Sequence, residues 1–240
     1  MAENEELKFQ GAQYAVEYVE SGMIVGLGHG STASLAAKLI TGRLNSGSLR
    51  NILCVPASDT VEKAARSLNL PLTTLDEHPV LDLTIDGADE VNPALELIKG
   101  GGGALLKEKM LAQASRREMI VVDQSKLSPV LGEKWALPVE VIPFGWRYQV
   151  IFLEQLGAIV KVRYDAGGLP FETDQGNMIL DCDFGPITNP QQLAEQLNGR
   201  AGIIEHGLFL DLVDDLVVGS EQGVRHIKKT ELNSKGGPGN

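Results

Sequence analysis

Cysteine occurs only twice in the 240 residues and histidine four times, and basic residues are outnumbered: 21 Lys and Arg stand against 32 Asp and Glu, a net charge of -11. Each shortage removes a class of protein. Cys54 and Cys182 both lie in apolar, strand-like runs. Their spacing suits neither a disulfide framework nor a zinc module, and it fits buried thiols in a reducing cytosol. His78, His206 and His226 are scattered without metal-ligand spacing and read as structural or surface residues, so no metal is expected. An acidic chain lacks the clustered cations that neutralise phosphates along DNA or RNA, so nucleic acid is not expected as a partner. No run approaches the about 18 apolar residues of a membrane span. The start, MAENEELKFQ, has no basic stretch followed by an apolar core. A soluble, cytoplasmic protein with no membrane partner is the expectation. There is no internal repeat, no Walker lysine and no basic helix-turn-helix at the N-terminus.

What is present is an ordinary globular composition, 43% hydrophobic and 22% charged, long enough for one large domain or two modest ones. Residues 5–19 space their apolar positions as a helix does. Met23 to Leu27 reads as a buried strand, Gly28-His-Gly-Ser-Thr32 as a tight loop, and Ala33 to Ile40 as a helix. Strand, glycine loop, helix is the opening of an α/β unit whose loop amides and helix N-terminus favour an anion. The spacing Gly26-x-Gly28-x-Gly30 departs from GxGxxG, and no nicotinamide cofactor is expected. On its own the loop is equally a glycine turn for close packing, with Ser31 and Thr32 as caps. Strands at 52–56, 72–75 and 81–86, helices at 59–68 and 104–115, and a buried strand at 118–123 continue the alternation. They predict a doubly wound, mostly parallel, Rossmann-like sheet.

From Pro138 the rhythm changes. Strand (139–142), helix (147–156), strand (158–164), strand (177–184), helix (190–198), strand (203–210) is the βαββαβ order of a smaller ferredoxin-like α+β domain. Thr188 or Asn189 is placed to cap its second helix. Leu216 to Gly219 returns to the first sheet, with 223–228 closing. The expected boundaries are a Rossmann-like catalytic domain over 1–132 and 208–230, a ferredoxin-like domain over 133–207, and a disordered polar tail over 231–240.

The densest chemistry lies in Leu81 to Lys109, LDLTIDGADEVNPALELIKGGGGALLKEK. In open α/β sheets ligands sit beyond the carboxyl ends of the strands. There Asp86, Asp89, Lys99, the glycine run and Glu108 read as a reaction site rather than a charged patch, so an enzyme is expected. Glu90 is as readily structural as functional.

The blocks Gly28-x-Gly30-Ser-Thr32, Asp86-Gly-Ala-Asp-Glu90, Lys99-Gly-Gly-Gly-Gly-Ala-Leu-Leu-Lys-Glu-Lys109, Asp123-x-Ser-Lys126 and Leu137-Pro-Val-Glu-Val-Ile-Pro143 together resemble ribose-5-phosphate isomerase of the A type, over nearly the whole length. The resemblance implies interconversion of D-ribose 5-phosphate and D-ribulose 5-phosphate without metal or coenzyme, in the non-oxidative pentose phosphate pathway. It implies a small sugar phosphate as ligand, and a homodimer or homotetramer formed through the smaller domain, which also serves as a lid.

The chemistry of the residues agrees. An aldose–ketose shift through an enediolate needs a base, and Glu108 fits. Lys99 suits the electrophile beside the developing oxyanion, and Asp86 and Asp89 suit ring opening and hydroxyl protons. The resemblance seats the phosphate on Gly30, Ser31 and Thr32, with charge from Lys126 and Lys8, and brings Gly100 and Gly101 to the substrate; Lys8 is equally a surface lysine. Two departures touch the sugar: His29 replaces the usual threonine or serine, and Ala57 stands where a hydroxyl residue is common. The rival readings are a non-catalytic sugar-phosphate sensor, which would carry a DNA-binding module and could lose its base, and a nucleotide-dependent enzyme, which the loop spacing disfavours.

Overall fold

The runs that alternate between apolar strand and amphipathic helix in the sequence form those elements in space. The computed structural model describes residues 2–235. In chain order its elements are α1 (Ala2–Val16), β1 (Ile24–Leu27), α2 (Ser31–Asn45), β2 (Leu53–Pro56), α3 (Asp59–Ser67), β3 (Leu83–Asp86), β4 (Glu90–Val91), β5 (Leu97–Ile98), α4 (Leu105–Ala114) and β6 (Glu118–Asp123). A 3-10 turn at Gln124–Lys126 follows. Then come β7 (Leu137–Val141), α5 (Trp146–Gln155), β8 (Ile159–Val162), β9 (Met178–Asp183), α6 (Pro190–Asn198), β10 (Ile203–His206), β11 (Leu208–Phe209), β12 (Asp215–Ser220), β13 (Gly223–Lys228) and α7 (Lys229–Lys235). The chain divides into two compact units.

The first unit comprises the chain through Gly87, Lys107–Ser125, and the chain from Leu212 onward. Its six-stranded sheet has the order β13-β12-β6-β3-β1-β2, parallel throughout except for the β12–β13 hairpin. The central strands are buried on both faces, and β3 and β6 are buried at every position. This is why β6 reads as a nearly unbroken apolar run, Met119 to Val122, rather than an alternating one. The core gathers Val25, Leu27, Ile40, Ile52, Ile85, Met119, Val121 and Val217. Each large side chain of this kind contributes about 1.5–3 kcal/mol by leaving water. Ser58 caps α3 by accepting from the Val61 N–H at 3.2 Å.

The second unit comprises Ala88–Leu106 and Lys126–Asp211. Its antiparallel sheet runs β10-β7-β9-β8. Numbering these strands by chain position gives 4-1-3-2, the arrangement that the βαββαβ order predicts. Leu137, Val139, Val141, Leu153, Leu180, Cys182 and Leu197 fill its core. Asn189 caps α6 through the Gln192 N–H, with Pro190 following.

Four expectations need correction. Residues 72–75 make one parallel bridge, Leu72 with Cys54, rather than a strand; Thr73 turns its hydroxyl to Glu77 and His78 instead. The run 203–210 is two strands in two sheets, broken at Gly207. A β-carbon on Gly207 would lie 2.3 Å from the Lys99 carbonyl oxygen. The short strands β4, β5 and β11 form a three-stranded sheet of their own. That sheet draws residues 88–106, together with 126–132 and 208–211, into the second unit, so the boundaries at 132 and 208 shift. The tail expected to be disordered from 231 continues the helix α7 to Lys235, and residues 236–240 lie outside the described residues. Among the described residues no helix is long and apolar enough to cross a membrane.

Candidate active site

In the first unit the chemistry collects at the carboxyl ends of β1 and β3. Asp86, the last residue of β3, is fully buried. Its Oδ1 accepts the His29 N–H at 3.1 Å and the Gly87 N–H at 2.7 Å. The approach leaves no room at Gly28, where a β-carbon would sit 1.9 Å from the Asp86 carboxyl carbon. The sequence therefore fixes this carboxylate with a glycine just past β1, the His29 amide of the same loop and the amide of Gly87. Gly30, at φ +97°, is the N-cap of α2 and has no side chain to cap it. Ser31 and Thr32 occupy the first helical turn, so neither is the cap. Ser31 is exposed, and buried Thr32 lies against Gly87.

The same unit holds Glu108 and Lys8. Glu108 is 4% exposed, in the first turn of α4, where the helix dipole favours a negative charge. Leu111, three residues on and on the same face, packs with Val55, Ala57 and Leu81 at the end of β2. Lys107 anchors the helix by an ion pair to Asp59 at 2.9 Å. Lys8 Nζ stands 3.9 Å from Asp123 Oδ2, a loose pair with a buried carboxylate whose other oxygen holds Ser125. The two departures also find their places. His29 Nδ1 meets Ser58 Oγ at 2.8 Å, while Ala57 is a fully buried core residue.

In the second unit, Asp89 Oδ2 accepts the Gly101 N–H at 2.7 Å, and the Asp89 N–H donates to the Ile98 carbonyl. Lys99 is 2% exposed; its N–H donates to the Gly207 carbonyl and its ammonium lies 5.4 Å from the centre of the Phe209 ring. Lys126 stacks over Trp135 at 5.0 Å, and Trp135 in turn borders Gly101. Asp89, Gly101, Trp135 and Lys126 are thus one cluster. Glu90 resolves as structural: it accepts the backbone N–H groups of Gly132, Lys134 and Trp135. Sequence reasoning missed Arg163, whose guanidinium reaches the carbonyls of Gly100 and Gly101. A lone arginine just past the end of a strand carries no spacing signal.

The family model of ribose 5-phosphate isomerase A (phosphoriboisomerase A) matches residues 53–223. The ribose-5-phosphate isomerase A of Chloroflexus aurantiacus is 55% identical over 227 residues, covering 95% of this chain and 95% of that one. The chain belongs to the ribose 5-phosphate isomerase A family. Its fold agrees with solved members. A D-ribose-5-phosphate isomerase in complex with phospho-erythronic acid superposes with a TM-score of 0.91 at 36% identity, covering 93% of this chain and 98% of that one. The ribose 5-phosphate isomerase A of Methanocaldococcus jannaschii does so at 0.89 and 38%, covering 94% and 99%. The family's activity is aldose–ketose isomerisation in the pentose phosphate pathway, and the chain is an enzyme rather than a sugar-phosphate sensor.

Proposed function

We propose that Glu108 is the base of this isomerase, taking the C2 proton of open-chain ribose 5-phosphate and returning it to C1. The electron pair released at C2 forms the C1–C2 double bond, and the C1 oxygen becomes the oxyanion that Lys99 stabilises. Transfer of the O2 proton to O1 and return of the carbon-derived proton to C1 then give ribulose 5-phosphate. Asp86 and Asp89 carry the hydroxyl protons and open the furanose ring. The phosphate rests on the Gly30 amide, Ser31 and Thr32, where an uncapped helix start offers N–H donors. Lys8 and Lys126 add positive charge, and Gly100 and Gly101 contact the sugar.

One observation carries this reading. Asp86, Lys99 and Glu108, three ionisable groups from one sequence block, are each less than 5% exposed, and withdrawing ionisable groups from water is costly. The phospho-erythronic acid bound by the solved relative, a phosphorylated sugar acid, supports a sugar phosphate as ligand. A cytoplasmic homodimer or homotetramer is the proposed assembly. The second unit supplies its surface, supported by the exposure of Phe144 (88%), Tyr148 (62%) and Ile159 (66%).

The test is conversion of ribose 5-phosphate in EDTA with no coenzyme, for the wild type and Glu108→Gln. The wild type turns over, and the variant loses about 10²–10⁴-fold in kcat, the usual contribution of a general base, while still binding substrate. Near-normal kcat in Glu108→Gln removes Glu108 from the role.

A further inference from the structure

Four consecutive glycines, Gly100 to Gly103, are a poor way to hold a catalytic turn. Glycine loses more conformational freedom on folding than any other residue, and Gly100 and Gly103 sit at φ +101° and +80°. Within the turn the Gly103 N–H bonds the Gly100 carbonyl at 2.9 Å; the rest of the restraint must come from outside it. We propose that Arg163, held by Asp181, is a positioning residue for the isomerase reaction and sets which way the peptides of this turn face.

Arg163 follows β8 and its side chain is 14% exposed. Its backbone is fixed on both sides: the N–H donates to the Ile179 carbonyl at 3.0 Å, and the carbonyl accepts from Phe171 at 2.8 Å. One edge of the guanidinium forms a fork with Asp181 of β9, Nε to Oδ2 at 3.0 Å and Nη2 to Oδ1. That leaves Nη1, which donates to the carbonyl of Gly100 at 2.7 Å and to that of Gly101 at 3.1 Å. Phe171 closes the far end of the turn: a β-carbon on Gly103 would lie 2.4 Å from its ring, and the ring centroid is 5.9 Å from the Arg163 guanidinium.

A trans peptide points its C=O and N–H in opposite directions. Fixing the Gly100 carbonyl on Arg163 therefore sends the Gly101 N–H the other way, where it meets Asp89 Oδ2 at 2.7 Å. Fixing the Gly101 carbonyl sends the Gly102 N–H to that same side. The arginine thus selects the face on which the turn presents its donors, and through Gly101 it orients Asp89. Lys99 begins the same turn, with its own N–H tied to Gly207. Lysine cannot replace this arrangement, because it lacks the planar fork that bonds a carboxylate and the carbonyls at once.

The inference rests on the reading of Asp89 and Lys99 as catalytic. The test compares wild type, Arg163→Lys, Arg163→Ala and Asp181→Asn for kcat, KM and thermal midpoint. Misplacement of catalytic groups by about 1 Å costs on the order of 10²-fold in rate. Arg163→Lys is expected to lose that in kcat with little change in KM or midpoint, and Asp181→Asn to lose less. Added guanidinium is expected to restore part of the kcat of Arg163→Ala without moving its midpoint. An active wild type with an equally active Arg163→Lys overturns the proposal. So does a kcat loss that follows the midpoint and that guanidinium leaves untouched. An inactive wild type removes instead the isomerase reading beneath it.

Discussion

Gly28→Ala is the substitution whose effect follows most directly from the geometry. Gly28 is not at a positive φ, so alanine fits the backbone and only the added methyl matters. That methyl would lie 1.9 Å from the Asp86 carboxyl carbon and from Oδ1. Restoring an ordinary carbon contact near 3.4 Å requires the carboxylate or the loop to retreat by about 1.5 Å. Either movement strains the bonds from His29 and Gly87 to Oδ1. Overpacking of this kind costs about 1–3 kcal/mol of stability. If Asp86 takes part in the reaction, a shift beyond 1 Å should also cost about 10²-fold or more in kcat. The assay is ribulose 5-phosphate formation, with the thermal midpoint measured beside it. Gly42→Ala serves as control: it lies in α2 with nothing within 4 Å of the new methyl and should keep full activity. A folded Gly28→Ala protein with kcat within a few-fold of wild type refutes the reasoning that ties the reaction to the placement of Asp86 against this loop, since one of the two must move.

Three other outcomes follow from single contacts. Lys126→Ala should mainly raise KM, by loss of a cation over Trp135 that helps attract the phosphate; an unchanged KM contradicts that role. Asp215 is bonded by Arg117, Nε to Oδ2 at 2.5 Å, and by His226 at 2.5 Å. Burial alone would raise its carboxyl, but these partners outweigh it and hold it below the usual aspartate value. A depressed folded value adds stability above the unfolded pKa of about 3.9, and the gain is lost as pH falls through the folded value. The Asp215→Asn deficit, on the order of 1–3 kcal/mol at neutral pH, should therefore shrink in denaturant titrations below about pH 4; a deficit independent of pH refutes the assignment. Burial pushes the Cys54 thiol up to about 12 and raises that of Cys182. Neither should react with a thiol reagent at pH 8 until the protein is unfolded, and fast native labelling of either contradicts its burial.

The sequence was legible wherever one element carried its own pattern. Buried parallel strands such as Glu118–Asp123 appear as continuous apolar runs, and α6 announced itself through Asn189-Pro190. The glycine loop and the block from Asp86 to Glu108 were readable because their unusual residues are close in sequence. What stayed hidden was whatever depends on partners far apart in the chain. Strands of two residues, such as β4, β5 and β11, have no period to detect, and only the pairings of Leu97–Ile98 with Glu90–Val91 and with Leu208–Phe209 define them. The apolar run 203–210 looked continuous because nothing local distinguishes Gly207 as the point where the chain changes sheets. The cause is the Lys99 carbonyl, more than one hundred residues upstream, which leaves no room for a side chain there.

The same distance explains why site residues were legible while their supports were not. Asp86, Asp89, Lys99 and Glu108 are chemically conspicuous and grouped. Their supports are a glycine (Gly28), a backbone carbonyl (Gly207), and an arginine just past β8 that bonds the peptide oxygens of the turn. A residue that bonds to backbone imposes no residue type on its partner and so leaves no matching mark elsewhere in the sequence. Glu90, which the sequence left open between structure and function, shows that proximity to a motif does not assign a role. It sits inside the most conspicuous motif, yet its carboxylate is spent on the amides of Gly132, Lys134 and Trp135. Its contribution to the site is indirect, because the segment it holds carries Trp135, on which Lys126 stacks and against which Gly101 packs. Glu90→Gln keeps the size and one acceptor oxygen but puts an amide donor where three N–H groups converge, so it should loosen that segment and weaken the placement of Lys126, raising KM for ribose 5-phosphate more than it lowers kcat; unchanged kinetics would contradict this link.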